Sequence, residues 1–318
     1  MPEPERKLIE HVRGLARTGQ NRSVTKGIGD DTAVLRPKPR HELLVTTDLC
    51  VEGFHFRPEW HPANSVGHRC LARGLSDVAA MGGEPTACFL SLGLPEDLDQ
   101  KWVTQFVKGL ITLARRFGVE LAGGDTSGAP AITADIVVTG QVPKGKAVLR
   151  SGAKPGDRIF VTGELGESAA ILKRFFGGEK VQASKTSRHF YPEPRIAVGQ
   201  WLRRRGLATA MIDLSDGLSV DLSHICDESR AGAVIHAEQV PIARLASLEL
   251  ALHGGEDYEL LFTTKARSNV PKMIEGVRVT EVGTIHRRSD YGSQMQILGQ
   301  NGALRRLKPQ GWQHFSGG

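Results

Sequence analysis

The chain has 318 residues, 41 Lys and Arg against 35 Asp and Glu for a formal net charge of +6, and 40% hydrophobic with 24% charged residues. Its length exceeds the usual single-domain size and fits two domains of about 150 residues each, while the composition excludes disordered, collagen-like, disulfide-scaffold and membrane classes. The small positive excess suits an anionic ligand or nucleic acid without choosing between them; the 37 glycines, well above the roughly 7% usual in proteins, point to many turns and close backbone approaches.

In chain order, Leu8 to Leu15 reads as a short amphipathic helix and Gly27-Ile28-Gly29-Asp30-Asp31 as an acidic turn. A strand from Glu42 to Leu49 ends in Thr46-Thr47-Asp48, and a helix from Val66 to Met81 carries Asp77 near its end and stops at Gly82-Gly83. An apolar strand spans Ala87 to Leu94. The clearest helix is Lys101 to Phe117, where Trp102, Phe106, Leu110, Leu113 and Phe117 recur every three to four residues as core. A Gly123-Gly124-Asp125 turn and a strand from Ala131 to Thr139 follow. Gln141 to Pro155 reads as a linker, giving an N-terminal α/β domain over 1–145 and a C-terminal one over 146–318.

The second half alternates again: a strand at Arg158 to Thr162, a helix at Ser168 to Phe176, a polar loop at Ala183 to Arg188, a strand at Thr209 to Leu214, a helix at Leu218 to Ser229, and strands at Ala233 to Ala237 and Tyr258 to Thr263. Several adjacent strands lack a crossover helix. The fold class is therefore α/β in the mixed α+β sense, with mixed sheets flanked by helices. Cys50, Cys70, Cys88 and Cys226 form no CxxC pair, the first twenty residues are charged throughout, and no apolar run reaches about 18 residues. The expectation is a protein of the reducing cytoplasm, without signal peptide or membrane span.

Five short segments set acids beside glycine or at strand ends: Gly29-Asp30-Asp31, Thr46-Thr47-Asp48, Leu75-Ser76-Asp77, Gly123-Gly124-Asp125 and Asp213-Leu214-Ser215-Asp216-Gly217. One such Asp is ordinarily a cap or a solvated turn residue. Several carboxylates at the ends of apolar strands would repel one another unless cations neutralise them, and oxygen ligands favour Mg²⁺. Several Mg²⁺ ions on carboxylates point to phosphoryl transfer and a nucleotide. There is no GxxxxGK[ST] loop and no HRD or DFG set, so neither a P-loop protein nor a protein kinase is indicated. Gly163-Glu164-Leu165-Gly166 before a helix fits a phosphate cradle or a plain strand-to-helix turn equally.

Taken together, Gly27-Ile-Gly-Asp-Asp-Thr-Ala, Thr46-Thr-Asp, Val51-Glu-Gly-Phe-His-Phe, Leu75-Ser-Asp-Val-Ala-Ala-Met-Gly, Leu92-Gly-Leu-Pro, Gly123-Gly-Asp-Thr, Arg150-Ser-Gly-Ala-Lys-Pro-Gly-Asp, Ile212-Asp-Leu-Ser-Asp-Gly-Leu, Gly254-Gly-Glu-Asp-Tyr-Glu-Leu and Gly311-Trp-Gln-His-Phe resemble, in this order, the thiamine-monophosphate kinase family. The resemblance runs from about Leu8 to Phe315. The wider superfamily includes aminoimidazole ribonucleotide synthetase, selenophosphate synthetase and a hydrogenase-maturation protein. His55 in its motif, the Gly254–Leu260 segment, and the lack of a reactive Cys in a glycine-rich N-terminal loop favour the kinase.

The resemblance implies a two-domain aminoimidazole ribonucleotide synthetase-like architecture and a homodimer. It assigns several Mg²⁺ ions to Asp31, Thr46, Thr47, Asp48, Asp77, Asp125, Asp213 and Asp216, with Asp30 the less certain member of its pair. It assigns ATP to Gly124, Asp125, Arg150 and Ser215, and thiamine monophosphate to His55, Glu256 and Trp312, the last stacking on the cationic ring system. A Tyr placed near the nucleotide in relatives aligns with Val107 here. The implied chemistry is in-line transfer of the γ-phosphoryl group of ATP to the phosphate of thiamine monophosphate. Because that acceptor's second pKa is about 6, no general base is required.

Other residues have plainer readings. His61, His68, His189, His224, His253 and His314 show no metal-ligand spacing and are read as surface or capping residues, and Arg203-Arg204-Arg205 as a basic helix end. The rival readings are an ATP-dependent synthetase of the same superfamily and, from the basic balance alone, an RNA-binding protein. The sequence lacks the interleaved aromatics the latter would need, so no nucleic-acid partner is expected.

Overall fold

A computed structural model of the chain describes residues 5–16, 21–288 and 294–311. The chain divides into two compact units, one formed by 1–78, 83–145 and 182–192, the other by 79–82, 146–181 and 193–318. Seven α-helices lie among the described residues.

The first half of the chain runs α1 (Glu5–Ala16), β1 (Val24–Lys26), β2 (Val34–Leu35), β3 (His41–Val51), α2 (Ala63–Ala80), β4 (Glu84–Leu94), α3 (Gln100–Arg116), β5 (Glu120–Gly128) and β6 (Thr133–Pro143). β1 and β2 form a small ribbon. The main sheet has the order β3-β6-β4-β5, with β6 antiparallel to both neighbours and β4 parallel to β5. The parallel pair requires a crossover, and α3 supplies it. Asp99 caps α3 by accepting the Lys101 N–H at 2.9 Å, and the helix closes at Phe117 before Gly118 at φ +64°. Of the stripe the helical period marks, Phe106, Leu110 and Leu113 are buried, joined by Val103 and Val107, whereas Trp102 and Phe117 are only half-buried; each large buried side chain contributes about 1.5–3 kcal/mol by leaving water. α2 and α3 cross closely because glycine is present on both: a Cβ on Gly67 would lie 1.9 Å from the Phe106 carbonyl oxygen, and one on Gly109 1.9 Å from that of Asn64.

The second half runs β7 (Arg158–Thr162), α4 (Glu167–Phe176), α5 (Ile196–Arg205), β8 (Ala208–Asp213), α6 (Leu218–Glu228), β9 (Ala231–His236), a 3₁₀ turn (Ala237–Gln239), α7 (Leu248–His253), β10 (Leu260–Thr264), β11 (Met273–Ile274), β12 (Val277–Arg287), β13 (Met295–Leu298) and β14 (Leu304–Arg306). Its sheet has the order β14-β13-β9-β12-β7-β10-β8, with β11 paired to β12. Only β13 and β9 run parallel in it. Ile159, Val161, Ile212, Leu222, Ile225, Ala233, Ile235, Leu261 and Ile285 form the core around it. Both sheets are mixed and helix-flanked, the α/β class read from the sequence.

Three local expectations are corrected. Gly123-Gly124-Asp125 is not a turn but part of β5. Its glycines serve close backbone approach inside a sheet: β5 carries one extra residue at Ala122 against β4, and Gly124 sits at φ +152° with its absent Cβ 1.8 Å from the Leu90 carbonyl oxygen. β6 continues to Pro143, so the sheet claims the start of the expected linker. His61, His68 and His189 are buried rather than surface residues, and the Nε2 atoms of His61 and His189 lie 2.9 Å apart.

Candidate functional site

In the first unit a cleft of about 820 Å³ opens between the loop after β1 and the exposed end of β5. Asp30 and Asp31 line it from one side, Gly123, Gly124 and Asp125 from another, and Leu8, Ile9 and Val12 of α1 form an apolar wall. Both loop aspartates are exposed. Asp30 pairs with Lys26 at 3.1 Å, and this ammonium, together with the Asp31 N–H, holds its carboxyl below the ordinary value. Asp125 accepts the Thr126 N–H at 2.9 Å. Thus Asp31, Gly124 and Asp125, far apart in sequence, share one cleft.

A second group forms where β3 meets α2. Successive strand residues point to opposite faces. Thr46 accordingly donates to Oδ2 of Asp77 on α2, whereas Thr47 donates to Oδ1 of Asp135 on β6 at 2.9 Å. Asp48, on the Thr46 side by alternation, receives Nε of Arg73 at 3.4 Å. Its carboxyl is nevertheless pushed up to about 6, first by burial and then by the charges of Asp77 and Asp135, against the pull of Arg73. A site that makes its own carboxylate hard to ionise, with the oxygens of Thr46, Asp48 and Asp77 on one face of β3 beside the Arg73 guanidinium, fits a Mg²⁺ ion, which would replace the repulsion between carboxylates by attraction.

His55 lies beyond β3, where its Nδ1 accepts the Val51 N–H at 3.0 Å; a neutral ring therefore carries its proton on Nε2. Its carbonyl accepts from Arg69 at 3.3 Å. Val107 is buried on α3.

The second unit gathers its own acids at the β8–α6 turn. Asp213 ends β8 and is buried, and Ser215 and Asp216 follow in the turn. Asp221 of α6 accepts the N–H groups of Asp216 at 3.2 Å and Gly217 at 3.1 Å, and burial with the charges of Asp213 and Asp216 raises its carboxyl well above the ordinary value. Ligand atoms of Asp216, Asp221 and His224 lie within 4.8 Å of one another. This turn is stitched to the Gly254–Leu260 segment: Ser215 O accepts the Glu256 N–H at 2.7 Å and Leu214 O the Tyr258 N–H at 2.8 Å. Gly311 also packs here, a Cβ on it falling 2.0 Å from the Asp216 carbonyl oxygen. Trp312 lies outside the described residues. Arg150 is exposed in the loop after β6, and its carbonyl accepts from Ser229 Oγ at 3.0 Å.

The sequence reading missed Arg73, Asp135, Asp221 and the ligand geometry of His224. Asp221 and His224 have a detectable signal, since spacings of five residues from Asp216 to Asp221 and three from Asp221 to His224 put them on the first turns of α6. Asp135 had none: it sits alone in an apolar strand.

Comparisons with known proteins follow the same lines. Residues 29–142 match the AIR synthase related protein N-terminal domain and residues 154–296 the corresponding C-terminal domain. The chain is 41% identical over 273 residues to thiamine-monophosphate kinase of Escherichia coli, covering 82% of this chain and 81% of that one. It is 38% identical over 260 residues to that of Bacillus subtilis, covering 78% and 80%. Among solved structures, thiamine-monophosphate kinase from Stenotrophomonas maltophilia superposes with a TM-score of 0.80 at 34% identity over 91% of this chain and 95% of that chain. AaThiL complexed with AMPPCP and TMP gives 0.76 at 31% identity over 92% and 93%. The hydrogenase maturation protein HypE, at 18% identity and a TM-score of 0.77, shares the fold. With both halves matched and identity near 40% over most of its length, the chain belongs to the thiamine-monophosphate kinase family of AIR synthase related proteins.

Proposed function

We propose that the chain is a thiamine-phosphate kinase that transfers the γ-phosphoryl group of ATP in line to the phosphate of thiamine monophosphate, giving thiamine diphosphate and ADP. The observation that carries this reading is the half-buried Asp48 carboxyl, on the same face of β3 as the Thr46–Asp77 pair and with Asp135 on the opposite face, driven up to about 6, because carboxylates gathered in this way are suited to hold cations that in turn hold phosphates. The relatives of the same family support the acceptor, and AaThiL with AMPPCP and TMP supports the pairing of a nucleotide with that acceptor.

In this reading each unit brings its own ligands. Asp31 and Asp125 in the cleft, Thr46, Thr47, Asp48 and Asp77 on β3 and α2, and Asp213 and Asp216 on the β8–α6 turn hold Mg²⁺. When bound, Mg²⁺ supplies charge neutralisation for the nucleotide and the acceptor phosphate. Gly124 admits a phosphate close to the backbone, while Arg150 and Ser215 offer a guanidinium and a hydroxyl to the nucleotide. His55 presents an Nε2–H to the acceptor, and Glu256 sets a carboxylate against its thiazolium charge; Trp312 would stack on the ring system. The attacking oxygen forms its bond to the γ-phosphorus as the bond to ADP breaks. It arrives largely ionised, so positioning suffices and no side chain needs to remove a proton.

We further read the protein as a cytoplasmic homodimer. β3 is an edge strand exposing Leu43 at 50%, Val45 at 61% and Leu49 at 53%, an alternating apolar row that a second copy would cover. All four cysteines are buried and none is in a disulfide, and no helix among the described residues is long and apolar enough to cross a membrane. The decisive experiment is ADP release coupled to thiamine monophosphate, with light scattering for the dimer. Release with that acceptor is expected, and release only with an amide or carbonyl acceptor would overturn the assignment.

A further inference from the structure

The second unit contains a buried ion pair that the phosphoryl-transfer reading leaves without a role. Arg195 is 6% and Glu259 2% exposed. Nε of Arg195 donates to Oε2 of Glu259 at 2.6 Å, and Nη2 donates to Oε1, forming a two-pronged fork. Thr162 Oγ1 donates to the same Oε2 at 2.6 Å and accepts the Leu260 N–H at 2.8 Å. The Glu259 carbonyl accepts the Leu214 N–H at 2.8 Å. Glu259 is therefore fixed at both its side chain and its backbone.

What it anchors is unusual backbone. Gly255, Glu256 and Tyr258 stand at φ +70°, +55° and +51°, a region in which side chains other than glycine are strained. Strained residues persist where their surroundings over-determine them, and they cluster at functional sites. Here the strained turn is held to Ser215 and Leu214 by two backbone hydrogen bonds on one side and by the Glu259 anchor on the other. A buried ion pair is a poor source of stability, since desolvating both charges offsets their attraction, but it fixes geometry when both partners are fully bonded. A lysine would keep the charge of Arg195 and lose the planar fork.

We propose that Arg195 is a positioning residue whose fork on Glu259 holds the left-handed Glu256–Tyr258 turn in the conformation that presents Glu256 to the substrate. This rests on the reading above in which Glu256 meets thiamine monophosphate. The test uses R195K, with E259Q as a second variant should R195K fail to fold, each alone and combined with E256Q. R195K is expected to raise KM for thiamine monophosphate about tenfold while KM for ATP stays within about twofold, and to add less than about twofold in the E256Q background, because residues acting through one another are not additive. In hydrogen exchange without substrate, the amides of Glu256 and Tyr258 should exchange at least about tenfold faster in the variant, with β12 unchanged. Unchanged exchange at those amides, or an effect on KM that adds in full to that of E256Q, overturns the proposal. If the unaltered chain gives no ADP release with thiamine monophosphate, the functional reading fails, and the exchange experiment still decides whether Arg195 positions the turn.

Discussion

Nε of Arg73 stands 3.4 Å from Oδ1 of Asp48, and yet the carboxylate it faces titrates upward, to about 6. Burial and the neighbouring Asp77 and Asp135 outweigh the guanidinium. In the unfolded chain this group ionises near 4, so between about pH 4 and 6 the folded state binds more protons than the unfolded one, and stability falls as pH rises through that window. Asp48→Asn removes the penalty. In the presence of chelator the variant should be more stable than its parent at pH 8, by about 1–2 kcal/mol once the exposed quarter of the side chain and the lost Arg73 contact are discounted, and indistinguishable from it below pH 4. Turnover with ATP and Mg²⁺ should fall at least about a hundredfold. Thermal melts at the two pH values check the sign, and a variant less stable than its parent at pH 8 contradicts it.

The close approach of β5 to β4 gives a second outcome. Gly124→Ala places a methyl 1.8 Å from the Leu90 carbonyl oxygen at φ +152°, so the strands must part where both residues line the cleft. A loss of about 2–4 kcal/mol in urea unfolding is expected. Gly128→Ala, four residues along the same strand with open space around it, should stay within about 0.5 kcal/mol.

These positions also show which features of the fold are local in the sequence and which are not. The α3 period is a local signal, and the structure carries it. The acids next to glycine were visible because each pair breaks the surrounding apolar pattern. β5 was not, since Gly123-Gly124 inside a strand has no local marker distinguishing it from a turn; only the bulge against β4 reveals why glycine is needed. Asp135 becomes part of a site through the register that brings β6 beside β3, and His61 meets His189 across 128 residues. Pairings of that kind are set by the fold and leave no trace in a short window.

The opposite faces of Thr46 and Thr47 separate two roles. Thr46→Val deletes the donor to Asp77, and Thr47→Val deletes the donor to Asp135. Each leaves a carboxylate short of one hydrogen bond, at about 1 kcal/mol for the part-buried Thr46 bond and about 0.5 kcal/mol or less for the exposed Thr47 bond. If both faces serve phosphoryl transfer, Asp135→Asn lowers turnover by at least about tenfold, even though no motif marks this residue. Steady-state kinetics of the three variants decide the matter: normal turnover in Asp135→Asn with impaired Thr46→Val confines the site to the α2 side of the sheet.

Asp221 allows a metal prediction that does not depend on turnover. Its Oδ2 already accepts the N–H groups of Asp216 and Gly217, so the buried side chain both shapes the turn and adds charge to it. Asp221→Asn preserves an acceptor for those N–H groups while removing the charge that Asp213 and Asp216 oppose. The turn should therefore persist while cation affinity at it drops, by about tenfold for Mn²⁺ used as a spectroscopic substitute for Mg²⁺. His224→Ala separates the ligand types: an imidazole at that site contributes to Mn²⁺ and little to Mg²⁺, so the variant should weaken the former and spare the latter. Electron paramagnetic resonance of bound Mn²⁺, with Mg²⁺ as competitor, reads both effects. Unchanged Mn²⁺ affinity in Asp221→Asn would leave Asp221 as a structural brace of the turn.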